Sequence, residues 1–405
     1  MNYNTYPIAD LIDEIAMGPF GSNIKVDCFV DKGIPVLNGS NLEGFELSEK
    51  SFRYVTEEKA DSLKKANAYK GDVVITHRGT LGQIVYIPQT AQRDRYVISQ
   101  SQFRVKCNKK VLPEYFVYYF HTPIGQHKLL SNASQVGVPA LARPSSTFQK
   151  IEIEIPDLET QKKVVKLIGS LQTRIKTNAE INDNLQQQAA AIFKSWFVDC
   201  TPFDGVAPET WGDVILEEIT TLVSRGIAPK YFDDSEQTVI NQKCIRNHMI
   251  DLSLARTHTP KVINEKWLRF GDLLINSTGD GTLGRAAQVW FQPKNLTVDS
   301  HVTIVRPAKE NLIFYIGLWG ILHEKEIESL HTGSTGQTEL PRDRVKALGL
   351  LLPDNETLDR FNSLIAPMAA AIVSNQDENN RLADLRDALL PKLMSGEIDV
   401  SEVKI

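Results

Sequence analysis

PDLETQKKVVKLIGSLQTRIKTNAEINDNLQQQAAAIFKSWFV, residues 156–198, has no proline after its first residue and a single glycine, Gly169. Stepping alternately by four and three residues from Val164 picks out Val164, Ile168, Leu171, Ile175, Asn178, Asn182, Leu185, Ala189, Ile192 and Trp196, a seam that is apolar except for two central asparagines. A period of 3.5 kept over this length predicts a long helix paired with another, because a lone amphipathic helix has no reason to keep the count. Some forty residues at about 1.5 Å each make a rod of roughly 60 Å.

Adding 197 to each of those numbers yields a second seam: Phe361, Ile365, Met368, Ile372, Asn375, Asn379, Leu382, Arg386, Leu389 and Leu393. Asp157 and Asp354 stand where an N-cap is needed, and Glu159 and Glu356 complement the positive helix ends. The helices are expected to end near Val198 and near Ser395, just before Gly396. Pro367 removes one backbone hydrogen bond and marks the expected place for a kink.

Carboxamides buried in an apolar seam destabilise it unless other polar groups meet them. In an antiparallel pair Asn178 faces Asn379 and Asn182 faces Asn375. A parallel in-register pair would also match asparagine with asparagine. The antiparallel form is favoured because each helix leads out of its own globular repeat, and opposed directions place those repeats at opposite ends. Exposure at a loose seam is the alternative role for the four asparagines.

The repeat extends beyond the helices. RGTLG at 78–82 returns as DGTLG at 280–284, within KGDVVITHRGTLGQIVYIP (70–88) and FGDLLINSTGDGTLGRAAQVW (270–290). KIEIEIPDLET (150–160) likewise returns as ALGLLLPDNET (347–357). The glycines predict tight hairpin turns, and a turn without side chains also lets backbone amides approach a phosphate. The chain therefore divides into a head at 1–156, a long helix at 157–198, a second head at 199–353, a second long helix at 354–395 and a tail at 396–405. Short β-rich runs such as VVIT and LLIN mix with helical stretches such as PEYFVYYFHTPIGQHKLL (113–130), whose aromatic residues are expected to face a core. The expected fold is mixed α/β (α+β): two homologous globular domains separated by two long helices that form an antiparallel coiled coil, with a pseudo-twofold internal repeat.

A chain of 405 residues exceeds what one core fills, and 42% hydrophobic residues suffice for two. No run approaches the roughly 18 to 20 apolar residues of a membrane span, and MNYNTYPIADLIDEI lacks the basic and apolar regions of a secretion signal, so a cytoplasmic location is expected. Cys28, Cys107, Cys200 and Cys244 lie far apart and read as reduced thiols. The net charge of −5 conceals a gradient: residues 70–150 hold 11 Lys and Arg against 3 Asp and Glu, whereas 354–405 hold 5 against 10. Such asymmetry suits one face meeting a polyanion, although a solvated basic face without a ligand would look the same.

Catalytic motifs are not found. The Asn/Asp-Pro-Pro-aromatic loop of DNA amine methylation does not occur, and GDGTLGR (279–285) lacks the Gly-Lys-Ser/Thr ending of a phosphate loop. Pro156-Asp157 and Pro353-Asp354 have no Glu-x-Lys partner for a nuclease, and His121 and His127 lack the spacing and carboxylates of a metal site. No catalytic residue, metal ligand or bound cofactor is expected. The heads do offer side chains of the types that bond base edges and phosphates: Arg78, Gly79, Thr80, Gln83, Arg93, Arg95, Gln100 and Gln102 in the first, and Asn276, Thr278, Thr282, Arg285 and His301 in the second.

Together with the twofold repeat, IPDLETQKKVVKLI (155–168), IFKSWFVDC (192–200) and LRDALLPKLMSGEI (385–398) make the chain resemble the DNA specificity (S, HsdS) subunits of type I restriction-modification systems over essentially its whole length. The resemblance implies a noncatalytic, sequence-specific DNA-recognition subunit with two target recognition domains, each reading one half of a bipartite double-stranded DNA target. The helices would set the unread spacer and dock two modification (methyltransferase) subunits that use S-adenosylmethionine to methylate adenine. Where present, two restriction subunits would join with ATP and magnesium and translocate and cut DNA. Family members vary widely in their heads, so the resemblance transfers no base-reading residue. The second head departs from the first in charge, since residues 270–347 hold 8 Lys and Arg against 9 Asp and Glu. Two other readings remain: a coiled-coil scaffold that binds proteins, and a self-sufficient DNA-modifying enzyme with an unrecognised site.

Overall fold

The runs VVI at 73–75 and LLI at 273–275 are apolar at successive positions because each lies in a strand covered on both faces. In the computed structural model, which describes residues 3–400 except 20, 135–136, 280 and 334–337, Asp72–Thr76 and Ile84–Tyr86 form a hairpin across the first glycine turn. The sheet runs in the order Ile12–Met17, Gln102–Cys107, Asp72–Thr76, Ile84–Tyr86, antiparallel throughout. Thr220–Arg225, Val302–Pro307, Leu273–Asn276 and Ala286–Gln288 form the second sheet in the same order and directions.

A further sheet in each head repeats as well. Arg53–Val55 is an edge strand antiparallel to Ile34–Val36, which runs parallel to Arg95–Val97. Arg256–Thr257 is likewise antiparallel to Thr238–Ile240, which runs parallel to Leu296–Val298. The first and last strands of each head pair in the same way, Asn4–Pro7 with Glu152–Ile155 and Gly212–Ile215 with Gly349–Leu352. This is the mixed α/β twofold repeat that the sequence predicts.

The turns need glycine for conformation. Gly79 and Gly82 have φ of 91° and 89°, and Gly281 and Gly284 have 71° and 84°, where a Cβ is strained. A Cβ at Gly79 or Gly281 would meet no atom within 4 Å, so backbone conformation alone sets the requirement there. Asp280, which opens the second turn motif, lies outside the described residues, as do residues 401–405 of the tail.

Two compact units divide the chain: residues 1–175 with 380–405, and residues 176–379. Each holds one head and one half of each long helix. In the first, Val73, Ile75, Phe103 and Val105 join the buried Tyr115, Phe116, Phe120 and Phe148, and Val164 and Ile168 meet Leu390, Leu393 and Met394 in the same core. In the second, Leu273, Ile275, Val305, Tyr315 and Trp319 surround Ala189, Phe193, Leu358, Phe361 and Ile365. The far face of each main sheet is buried in another core, built around Val74, Val85 and Tyr96 in one head and Leu274, Ala287 and Val298 in the other.

The long helices cover Leu158–Phe193, continued by a π-helical turn at Lys194–Val198, and Asn355–Ser395. The second passes through Pro367 and Pro391 without interruption. Every one of the twenty seam positions is buried or half-buried. Asp157 Oδ1 accepts the amide of Thr160 and Asp354 Oδ1 that of Thr357, each at 2.9 Å. Those amide bonds hold both carboxyls below the usual carboxylate range. Asp157→Ala is therefore expected to destabilise the first unit by about 1 kcal/mol. Because the shift is downward, the wild-type advantage should be complete at neutral pH and fade as pH falls below about 3.9, the unfolded carboxyl value, through the lowered folded one. Urea titrations of both proteins at pH 7 and pH 2.5 check this, and a difference that grows on acidification would contradict it.

Candidate nucleic-acid interface

Each glycine hairpin is held in a frame of hydrogen bonds contributed by segments distant in sequence. In the first head Gln83 Nε2 donates to Gly39 O at 3.0 Å, while its Oε1 accepts from Thr76 Oγ1 at 3.1 Å. Gly39 opens a short turn, Gly39–Asn41, capped by Asn38, whose Oδ1 accepts the Ser40 amide at 2.9 Å. The second head builds the same turn at Gln242–Cys244 under Asn241, which accepts the Lys243 amide at 2.9 Å. Here Asn276 Nδ2 donates to Gln242 O at 3.1 Å.

A second segment runs alongside each turn. Gly79 N donates to Pro139 O at 2.9 Å and Leu141 N to His77 O at 2.9 Å, giving an antiparallel bridge between Arg78 and Ala140. Thr278 bridges Glu339 in the same sense, with Leu340 N donating to Ser277 O at 2.8 Å. Neither segment announces itself in the sequence. The asparagines at 38 and 241, each two residues before a capped amide, are the one local signal that could have located the turns.

Burial sorts the thirteen base- or phosphate-bonding candidates. Arg78, Gly79, Thr80, Arg93 and Gln100 are exposed, and among the described residues Arg78 and Arg93 form no ion pair. His77 lies beside Arg78, and burial pushes its pKa down, so a neutral ring meets the Gln100 carbonyl at 3.1 Å. Arg95 is committed to Asn67 at 2.8 Å and to Asp61 at 2.6 Å. Gln102 is 1% exposed and accepts the Ser99 amide at 2.9 Å. Gln83 and the fully buried Asn276 therefore brace the hairpin frames, and Gln102 and Asn276 present no edge to a ligand.

The second head gathers its candidates more tightly. Thr278 Oγ1 shares a 2.7 Å hydrogen bond with His301 Nδ1, and Thr282 Oγ1 donates to Gly279 O at 3.2 Å. Arg285 Nη2 donates to Gly281 O at 2.7 Å, leaving its other nitrogens available. His301 is exposed, and its amide is held by Asp299 Oδ1 at 2.9 Å. The cluster is a rim of donors around a turn with little excess charge, in contrast to the basic first head.

Away from the turns, each Gly-Asp pair supplies a buried carboxylate. Asp272 takes a two-point contact from Arg306, at 2.8 and 2.7 Å, and Asp72 meets Arg104 at 3.2 Å. Arg104 also reaches Glu14 at 2.9 Å, so this member of the basic surplus serves the fold. Among the described residues no group of three or more His, Cys, Asp and Glu is placed to hold a metal ion, and no helix is long and apolar enough to cross a membrane.

Within the second unit Asn178 Nδ2 lies 2.9 Å from Asn379 Oδ1 and 2.8 Å from Glu378 Oε2. Asn375 Nδ2 donates to Asn182 Oδ1 at 2.8 Å. These two layers run in opposed sequence directions, which is antiparallel pairing. Within the first unit Arg386 donates to Gln172 at 3.1 Å with the same sense. Asn178 Oδ1 is buried without a hydrogen bond among the described residues. Asn178→Leu combined with Asn379→Leu is accordingly expected to leave stability unchanged or raised, since replacing both partners removes the desolvation cost along with the bond. Helix register should loosen, as buried polar layers select one alignment. Thermal unfolding checks this pair, and a melting point several degrees lower would refute it.

The geometry accords with what the chain resembles. Residues 20–187 match the model of the type I restriction modification DNA specificity domain. The chain is 25% identical to the type I restriction enzyme MjaIX specificity subunit of Methanocaldococcus jannaschii, across 97% of its length and 93% of that protein. It is 23% identical to the HindI specificity subunit of Haemophilus influenzae, across 81% of its length and 87% of that protein. The crystal structure of the type I restriction-modification system S subunit from M. genitalium has the same fold, with a TM-score of 0.59 at 14% identity over 97% of this chain and 96% of that one.

That family match takes in most of the first head and of the helix after it. Over nearly its whole length the chain is a relative of type I restriction enzyme specificity subunits, as its sequence implied.

Proposed function

We propose that this chain is the sequence-specific DNA-recognition subunit of a type I restriction-modification complex, each head reading one half of a bipartite target. The observation that carries the reading is a shared frame with unlike rims. Strand order, turn glycines and capped turns recur in both heads, whereas side chains around the turns differ: Arg78 and Gln100 in one, Thr278, Arg285 and His301 in the other. One scaffold with two sets of donors suits two unrelated half-sites.

Chemistry is left to partners. Two modification subunits carrying S-adenosylmethionine would dock on the long helices, and ATP- and magnesium-dependent restriction subunits would join them where present. The acidic balance of the chain supports weak DNA binding by the isolated subunit, with much of the phosphate contact coming from the methyltransferases. The paired helices would set the spacer.

Exchanging residues 199–353 for the corresponding head of a relative tests the reading. Long-read sequencing that detects methylated adenine should show one half of the genomic motif replaced and the other retained. A motif altered in both halves, or no motif lost when the gene is deleted, would rule the proposal out. Methyl transfer by the purified chain alone, given duplex DNA and labelled S-adenosylmethionine, would favour the enzymatic alternative.

A further inference from the structure

An arginine rests on an aromatic ring at the same place in each head. Arg53, on the edge strand Arg53–Val55, has its guanidinium carbon 5.2 Å from the centre of the Phe29 ring. Arg256, on the edge strand Arg256–Thr257, has its own 3.6 Å from the centre of the Tyr231 ring. Main-chain hydrogen bonds establish the equivalence: Val30 N donates to Tyr54 O at 2.9 Å, and Phe232 N to Thr257 O at 3.2 Å. The aromatic residue precedes the donor and the arginine precedes the acceptor in both heads. Across the neighbouring strand Arg53 lies opposite Val36 and Arg256 opposite Val239.

Neither arginine was among the candidates drawn from the sequence, where KSFRYV (50–55) and LARTHT (254–259) share little. Both are exposed, and among the described residues neither guanidinium has a hydrogen-bond or ion-pair partner. Stacking fixes the plane of a guanidinium and leaves its five N–H donors directed outward along the edges, an arrangement that matches a phosphate.

The pair is also tied to the glycine hairpin by the same relay in each head. Gln83 holds Gly39, Asn38 Nδ2 donates to Ser51 O at 3.3 Å, and Arg53 follows two residues later. Asn276 holds Gln242, Asn241 Nδ2 donates to Leu254 O at 3.3 Å, and Arg256 follows two residues later. Two residues of chain span at most about 7 Å, so each arginine sits close to the turn that its relay supports.

From this repetition we infer that Arg53 and Arg256 are phosphate contacts of the two heads, a role that rests on the DNA-recognition reading above. The heads differ in the side chains that ring their turns, so what they share must serve what any two half-sites share, which is the sugar-phosphate backbone. Base-reading residues have no reason to coincide between heads, whereas a backbone clamp does.

The test uses the complex assembled with its methyltransferase subunits, a duplex carrying the mapped motif and a duplex of equal length without it. Affinity for both is measured against salt concentration for the wild type, for R53A with R256A, and for R53K with R256K. Each phosphate contact contributes about 0.9 to the slope of log affinity against log salt, so the alanine pair should lower it by about 1.8. Affinity should fall by the same factor on both duplexes, the methylated motif should stay unchanged, and the lysine pair should restore the slope. An unchanged slope in a complex that still prefers its motif overturns the assignment alone. So does an altered motif, or loss of the methyltransferase subunits from the alanine-pair complex, which would make the edge a protein contact. A wild-type complex with no preference for the motif duplex overturns the recognition reading and this inference with it.

Discussion

Arg306→Ala is expected to destabilise the second unit by about 3 to 5 kcal/mol, because it strands a fully buried charge. The Asp272 side chain is 0% exposed and Arg306 only 7%. Arg306 Nε and Nη2 satisfy both carboxylate oxygens, while its remaining donors reach Glu265 O at 2.8 Å and Trp267 O at 2.7 Å. Removal of the guanidinium leaves Asp272 Oδ1 and the Glu265 and Trp267 carbonyls without that donor, while Asp272 Oδ2 keeps only the Arg269 amide at 2.8 Å. At roughly 2–4 °C per kcal/mol for a unit of this size, the transition of the second unit should fall by something like 6–20 °C. Replacing both members, Asp272→Leu with Arg306→Met, should recover most of that loss, since an ion pair exchanged for apolar residues of similar volume is often neutral. A single variant that melts within 2 °C of wild type would show that the pair is not desolvated. In the first head burial pushes the Asp72 carboxyl up even with Arg104 beside it, and Arg104 keeps a second carboxylate in Glu14. Arg104→Ala should therefore cost less than Arg306→Ala.

Phe361→Ala should have an effect of similar size, about 3 to 5 kcal/mol, through the loss of a large ring and the cavity left behind. Phe361 is fully buried near the start of the second long helix, with ring centres of Phe197, Trp196 and Phe193 at 4.8, 5.9 and 6.0 Å. Those three belong to the end of the first helix, so this aromatic knot joins the two helices within the second unit. Arg360 closes the edge, 5.6 Å over Trp196. Phe361→Leu should restore much of the loss by refilling the space, although the edge-on ring contacts, about 0.5 to 1.5 kcal/mol each, do not return. Denaturant unfolding followed through the tryptophans of the second unit measures both variants. Equal stability of the alanine variant and wild type would mean that the knot is not packed as described.

Much of the architecture was legible before any coordinates. The seam from Val164 to Trp196 and its counterpart from Phe361 to Leu393 mark the helix faces that are covered. Glycines at 79, 82, 281 and 284 announced turns, and aspartates at 157 and 354 announced helix starts. The DNA-facing candidates were a different matter. Gln102 and Asn276 are of a type that reads adenine, yet both are sealed inside the sheets, while Arg53 and Arg256 drew no notice. Arg104 and Arg306 show the difficulty most plainly. The registers that set Val73 opposite Val105 and Leu273 opposite Val305 place Arg306 where the first head has Lys106, so the two arginines that neutralise equivalent aspartates are not equivalent positions.

Sequence alone determined the repeat, the helix pairing and the turn positions, because periodicity, capping and left-handed backbone are decided by residues within a few positions of one another. The fate of each polar side chain was decided only in the tertiary structure. Whether a glutamine braces a frame or an arginine faces solvent depends on segments from 24 to 44 residues away in the case of Gln83 with Gly39 and Arg53 with Phe29, and no local pattern encodes which segment arrives.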